Sequence, residues 1–281
     1  MARFRYVIAD VFTGTPLTGN QLAVFTDARE IPEDRYQDIA REMNFSETVF
    51  VFPPSDGDAH VHIRIFTPAA ELPFAGHPTL GSAFVLAGPL QLTEIRLQTG
   101  IGVVPVRVDR EGARISFGRM VQPIPTWQPY DDEAEALAAL GVERSELPVE
   151  SYENGPRHVF VRLASEDAVA AVDPDMGRLR KLGTLGFSTF AGDGTRWKTR
   201  MFGPGMGVSE DPATGSAAGP LGVHLLRHGL TESGQEIELV QGVEIKRPSK
   251  LYVRVTGTPD QIDSVEVGGE AVIVANGELQ L

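Results

Sequence analysis

Three titratable side chains stand where proton transfer could use them. His77 and Asp211 occupy matching places in two similar segments, His77-Pro-Thr-Leu-Gly-Ser-Ala83 and Asp211-Pro-Ala-Thr-Gly-Ser-Ala217. Two different titratable groups at equivalent points of a repeat suit acid/base chemistry on one substrate. Each also has a plainer reading, the His as a packed core or surface residue and the Asp before Pro as a helix N-cap. Glu47, in Asn44-Phe-Ser-Glu-Thr-Val-Phe50, follows a helical pattern that ends near Met43 and enters an apolar strand. A carboxylate beside Phe45, Val49 and Phe50 tends to lose solvent, which raises its pKa toward the acid/base range. Strand alternation could equally turn it to water. The second half offers only Phe187-Ser-Thr189 at the comparable place, without an acid, so Glu47 is a candidate single base.

The segments around His77 and Asp211 also look like helix starts, each with Pro early and small residues with Gly-Ser behind it. Pro suits the first helical turn, and small side chains leave the free amides open to a ligand. Two such N-termini facing a cleft would form an anion site, with a carboxylate or phosphate as guest. Alternatively, Gly and Ala merely let two buried helices pack tightly. Other motifs carry less. His60-Val-His62 has metal-ligand spacing but no nearby acid or third His, so it reads as a solvated face and no metal is expected. Arg64 and Arg200 match across the repeat and are expected to pair with Glu71 and Glu210. Asn154-Gly-Pro-Arg-His158 could bring a guanidinium or imidazole to a site's rim, or simply turn. Gly203-Pro-Gly-Met-Gly207 lacks the Gly-Lys-Ser/Thr of a phosphate loop, and no dinucleotide fingerprint occurs, so no nucleotide cofactor is expected.

The elements that must position these residues recur twice. Gly19-Asn-Gln-Leu-Ala-Val-Phe25 aligns with Asn154-Gly-Pro-Arg-His-Val-Phe160, Arg64-Ile-Phe-Thr-Pro68 with Arg200-Met-Phe-Gly-Pro204, and Glu94-Ile-Arg-Leu97 with Glu236-Ile-Glu-Leu239. With the His77 and Asp211 segments, that makes four matches in the same order, displaced by about half the chain, as a duplication would leave them. Short apolar runs at 6–8 and 22–25 read as strands, and Pro32 opens a helix with Tyr36, Ile39, Ala40 and Met43 on one face. Residues 48–52 and 61–66 are strands. Residues 79–87 form a helix with no charge on any face, which should be buried all round. Strands follow at 95–108 and 113–117. The second half repeats the scheme, with 213–227 as its apolar helix and surface helices at 131–140 and 174–182. Gln122-Pro-Ile-Pro-Thr-Trp127 reads as the linker between halves. The expected fold is α+β: two similar halves, each a curled mixed or antiparallel sheet around a central apolar helix, with the active site in the cleft between them.

Composition narrows the function classes. The chain has 281 residues, formal net charge -13 and no cysteine. The acidic balance argues against nucleic acid and anionic membrane as partners. Without cysteine there are no disulfides, Cys-zinc sites, iron–sulfur clusters or thiol acid/base pairs. The first ten residues lack a signal-peptide core, and no window approaches the ~18 apolar residues of a membrane helix, so a cytoplasmic protein is expected.

Asp10-Val-Phe12, Gly19-Asn20, Asn44-Phe-Ser-Glu-Thr48, Arg64 through Gly81 and Glu210-Asp-Pro-Ala-Thr-Gly-Ser-Ala-Ala-Gly219 resemble the PhzF-like family of phenazine-biosynthesis isomerases, over essentially the whole chain. Gln122-Pro-Ile-Pro-Thr-Trp127, Asn154–Phe160 and Arg196-Trp-Lys-Thr-Arg-Met-Phe202 carry the resemblance further, toward the phenazine-forming members. It implies the diaminopimelate epimerase-like fold, with residues 1–121 plus 266–281 as one domain and 122–265 as the other. The C-terminal strand at 270–275 returns to the first sheet on that analogy alone. The family's catalytic Glu falls on Glu47, its active-site His on His77 and its Asp on Asp211. Its Ser falls on Ser216, and its carboxylate-holding amides fall on Gly76 and Gly215. The epimerase relatives use two cysteines, which this chain lacks.

The implied reaction isomerises trans-2,3-dihydro-3-hydroxyanthranilate without metal or organic cofactor. Glu47 takes a proton from C3 and returns it to C1 on the same ring face, a small movement for one carboxylate. The resemblance also implies a homodimer acting on a small carboxylate. Two other readings stand beside this one: an isomerase or epimerase of a different small carboxylic acid, and a non-catalytic binder of one.

Overall fold

The computed structural model describes residues 2–281. They fall into two compact units, residues 2–121 with Gly268–Leu281, and Gln122–Val267. The first unit runs β1 (Arg3–Val11), β2 (Asn20–Phe25), α1 (Tyr36–Met43), β3 (Glu47–Phe52), β4 (Val61–Phe66), β5 (Glu71–Leu72), α2 (Gly76–Leu90), β6 (Glu94–Thr99), β7 (Gly102–Glu111) and β8 (Arg114–Gln122). The second runs β9 (Thr126–Pro129), α3 (Glu133–Leu140), β10 (Glu150–Glu153), β11 (Arg157–Arg162), α4 (Glu166–Ala170), α5 (Met176–Lys181), β12 (Gly186–Asp193), β13 (Arg196–Gly203), β14 (Val208–Asp211), α6 (Gly215–Arg227), β15 (Glu236–Gln241), β16 (Ser249–Gly257) and β17 (Ile262–Gly269). The last strand, β18 (Ala271–Gln280), belongs to the first unit and pairs antiparallel with β1.

Strand pairing displays the repeat. In unit 1, β2 pairs parallel with β3, β3 antiparallel with β4, β4 parallel with β6, and β6 antiparallel with β7. In unit 2, β11, β12, β13, β15 and β16 follow the same sequence of senses. The short strands β5 and β14 each pair antiparallel with the strand before them, β4 and β13. Thr126–Pro129, which overlaps the end of the stretch expected as a linker, forms β9 and pairs antiparallel with β10, as β18 does with β1. Pro123 and Pro125 lie in the irregular connection just before β9, at the boundary between the two units.

Each unit holds its apolar helix as expected. α2 is buried from Gly76 to Val85 and again at Ala87, and it packs on β1, β2, β3, β6, β7 and β18. It has no polar face because sheet surrounds it. Gln91, in the left-handed region, caps its end. α6 is buried from Gly215 to Leu226 and packs on β11 and β16. The expected helix opened by Pro32 is a single tight turn, Glu33–Arg35, followed by α1, which ends on left-handed Asn44.

Packing fixes the strand that carries Glu47. Phe50 stacks on Phe25 at 5.2 Å, meets Tyr36 of α1 at 4.7 Å and abuts Phe66 edge-on at 5.5 Å. Each such pair adds about 0.5–1.5 kcal/mol beyond area burial. Three residues from that cluster, the start of β3 is held firmly in place.

Candidate active site

Glu47 opens β3, and His77 is the second residue of α2. Both are withdrawn from water, the side chains being 13% and 3% exposed, and His77 Nδ1 lies 3.2 Å from Glu47 Oε2. The reading that strand alternation turns Glu47 outward therefore does not hold. Asn20 Nδ2 lies 3.2 Å from the same ring nitrogen. Burial pushes His77 down to about 3, opposed only in part by a backbone hydrogen bond with Gln21, so the ring is neutral at ordinary pH. A neutral imidazole has one donor and one acceptor nitrogen. An amide nitrogen only donates, so Nδ1 is the acceptor nitrogen of the ring and can accept from Glu47 once that acid holds a proton.

The loop before β2 fixes Asn20. Asp10 Oδ2 accepts the Leu17 N–H at 2.7 Å. Gly19 has φ +69°, and a Cβ there would fall 2.5 Å from the Val11 carbonyl oxygen, so glycine is required. Gly76 starts α2 behind Ala75, an extended residue whose side chain caps none of the first-turn amides.

In unit 2, Asp211 is the last residue of β14, aligned with Met201 of β13. It is not the N-cap of α6. Thr214 holds that position, and its hydroxyl donates to Asp211 Oδ2 at 2.7 Å. Gln241 Nε2 donates to the Asp211 carbonyl at 2.8 Å and to Thr214 Oγ1 at 2.9 Å, which locks the turn. Arg200 anchors β14 from the other side. Its Nε and one terminal nitrogen each reach Glu210 at 2.9 Å, and its other terminal nitrogen donates to the carbonyls of Val169, Ala170 and Val172. Arg64, its counterpart, pairs with Glu71 at 2.7 Å, so both expected ion pairs form.

The equivalence of His77 and Asp211 needs correction. Alignment by sequence put them together, but α2 starts at Gly76 and α6 at Gly215. By position in the helix, the counterpart of His77 is Ser216, and Asp211 lies upstream in strand β14. The short Gly-Ser-Ala strings match five residues out of register with the helix starts, Gly76 and Gly215. Ser216 is 5% exposed, and its Oγ lies 3.2 Å from Nε2 of His158, which is itself fully buried. The Gly215 carbonyl accepts from Gln122 Nε2 at 2.8 Å, and Gln122 Oε1 in turn accepts from Asn154 Nδ2 at 3.2 Å.

Sequence reasoning missed Gln122, Thr214 and Gln241, which act through backbone groups and carry no motif. It left His158 between imidazole and turn. His60 accepts the Arg96 N–H and His62 rests against Phe52, so the pair holds no metal geometry. One group among the described residues does have ligand-like spacing: Glu150, His224 and His228, with ligand atoms within 4.8 Å of one another. Arg227, however, donates to the same Glu150 oxygen at 2.8 Å, and so does the Tyr152 hydroxyl at 2.8 Å. Burial alone would raise the Glu150 carboxyl, but hydrogen bonds from His224, His228 and Tyr152 with the Arg227 charge hold it well below the usual range. The cation position is thus taken by a guanidinium, and the cluster reads as a charge-compensated buried network.

Comparison with known proteins places this geometry. A trans-2,3-dihydro-3-hydroxyanthranilate isomerase of Pseudomonas aeruginosa is 49% identical over 99% of both chains, and one of Pseudomonas fluorescens is 48% identical over 98% of this chain and 99% of that one. A Bacillus anthracis phenazine biosynthesis protein of the PhzF family superposes with TM-score 0.86 at 25% identity, covering all of both chains. A hydroxyproline epimerase of Agrobacterium vitis, at 11% identity and TM-score 0.72, covers 99% of this chain and 91% of its own and shares the fold alone. The family profile described as "Phenazine biosynthesis-like protein" matches residues 9–277, and the chain belongs to that family.

Proposed function

We propose that the chain is an isomerase that converts trans-2,3-dihydro-3-hydroxyanthranilate to its enol isomer, with Glu47 as the one base. The observation that carries this reading is the buried Glu47–His77 pair at 3.2 Å. It unites a carboxylate with a neutral ring whose acceptor nitrogen faces it, in a chain about half identical to isomerases of that name. Glu47 takes the C3 proton, which leaves an anion delocalised over the ring. The protonated Glu47 then delivers the proton to C1 on the same face. The first-turn amides at Gly76 and Gly215 hold the substrate carboxylate through helix-start donors. His77 and Asp211 hold the amine or hydroxyl, and Ser216 adds a hydroxyl contact. No step requires a thiol, in keeping with a chain without cysteine.

The same reading includes a cytoplasmic homodimer. Sedimentation equilibrium should give twice the 30.4 kDa chain mass, and a monomer would remove that part. For the reaction itself, Glu47→Gln should cut kcat about 10³-fold while calorimetry still finds substrate binding, the mark of a lost general base. If wild type ignores this substrate but turns over another small amino or hydroxy acid, the substrate assignment falls and the base assignment stands.

A further inference from the structure

Both units place a polar side chain second in their apolar helix, His77 in α2 and Ser216 in α6. What each meets differs. His77 meets Glu47, the first residue of β3, which lies opposite Leu22 of β2. The first residue of β12 is Gly186, and it lies opposite His158 of β11. A side chain has no room at Gly186, because a Cβ would fall 2.4 Å from His158 Nδ1 and 3.0 Å from Cε1. The imidazole of the neighbouring strand fills the space beside Gly186, at the position where unit 1 carries its carboxylate. It then makes the corresponding contact, Nε2 to Ser216 Oγ at 3.2 Å.

We propose that His158 is a positioning residue for the isomerase reaction, donating Nε2–H to Ser216 Oγ so that the serine's own hydrogen is left to donate to substrate. This rests on the isomerase reading above. Burial drives His158 down to about 4, so the ring is neutral and carries a single N–H. Nδ1 has no hydrogen-bond partner among the described residues and faces the Gly186 backbone. A proton there would be an orphaned buried donor, a rarer and worse outcome than a bare lone pair. The proton therefore sits on Nε2 and points at Ser216. A serine oxygen that accepts this bond keeps its O–H for another acceptor, and a substrate carboxylate or hydroxyl oxygen is such an acceptor. Ser216 becomes a fixed donor, where an unsupported hydroxyl would rotate.

Four variants test this: His158→Leu, His158→Gln, Ser216→Ala, and the Leu/Ala double. His158→Leu should lower kcat/KM roughly tenfold, as expected for a lost neutral hydrogen bond. His158→Gln, whose amide N–H can reach the same oxygen, should recover most of that. The double variant should be no worse than Ser216→Ala alone. A fully active His158→Leu, or losses that multiply in the double, would overturn the proposal. Long-range ¹H–¹⁵N correlation spectra of wild type between pH 5 and 8 provide a readout that needs neither turnover nor a variant. They should show a non-titrating ring with the proton on Nε2. A ring protonated on Nδ1, or an imidazolium, would overturn the proposal even in an active enzyme. If the ring behaves as expected in a protein that does not isomerise this substrate, the isomerase reading fails and the tautomer assignment survives.

Discussion

In the proposed reaction, Glu47, His77, His158 and Ser216 act through the placing of single protons, and burial sets where the protons of the two rings rest. His77 is pushed down to about 3 and His158 to about 4, both by burial, against an ordinary value near 6.5 in the unfolded chain. Between about pH 6.5 and pH 4 the unfolded chain binds protons that the folded chain refuses. Stability from these rings is thus complete above pH 6.5 and is lost as pH falls, by up to about 1.4 kcal/mol per pH unit for each ring. Urea midpoints measured from pH 7 to pH 5 should fall more steeply for wild type than for His158→Gln, which has nothing to protonate. Parallel curves would contradict a buried neutral His158.

At the scale of elements, the repeat gives a matched pair of arginines with unequal settings. Arg64 on β4 is 25% exposed and bonds Glu71 and Glu33, while Arg200 on β13 is 8% exposed and bonds Glu210 and three carbonyls. Removing a buried charge strands its partner, whereas a half-exposed pair is relieved by water. Arg200→Ala should cost about 3–5 kcal/mol and Arg64→Ala about 1 kcal/mol in denaturant unfolding. Equal losses would mean that burial does not separate them. Both ion pairs were legible in the sequence, because a match across the repeat placed each arginine near one acid. So were the two helices with no charged face. What sequence left unread depends on contacts between elements. Gly186 matters because a ring from β11 lies over it, Thr214 because its hydroxyl holds Asp211 ahead of a helix that starts later than Pro212 suggests, and β9 because it pairs with β10 directly after a proline-rich connection.

Across the whole molecule, the two units keep one order of strand pairing and differ at the chemical positions. The polar residue second in the helix is His in one and Ser in the other, and the residue opening the strand parallel to β2 or β11 is Glu in one and Gly in the other. The shared scaffold was visible as four matched segments in order. The divergence lies five residues off the sequence match, since Gly-Ser-Ala strings align more readily by sequence than by where a helix begins. Duplication followed by such divergence leaves one carboxylate where symmetry would give two, which is why a single base carries the proposed reaction. An NMR time course in D2O with trans-2,3-dihydro-3-hydroxyanthranilate, comparing wild type with Glu47→Gln, tests that claim most directly. The account predicts rapid substrate loss for wild type and none for the variant; a Glu47→Gln protein that consumes substrate at the wild-type rate would contradict it.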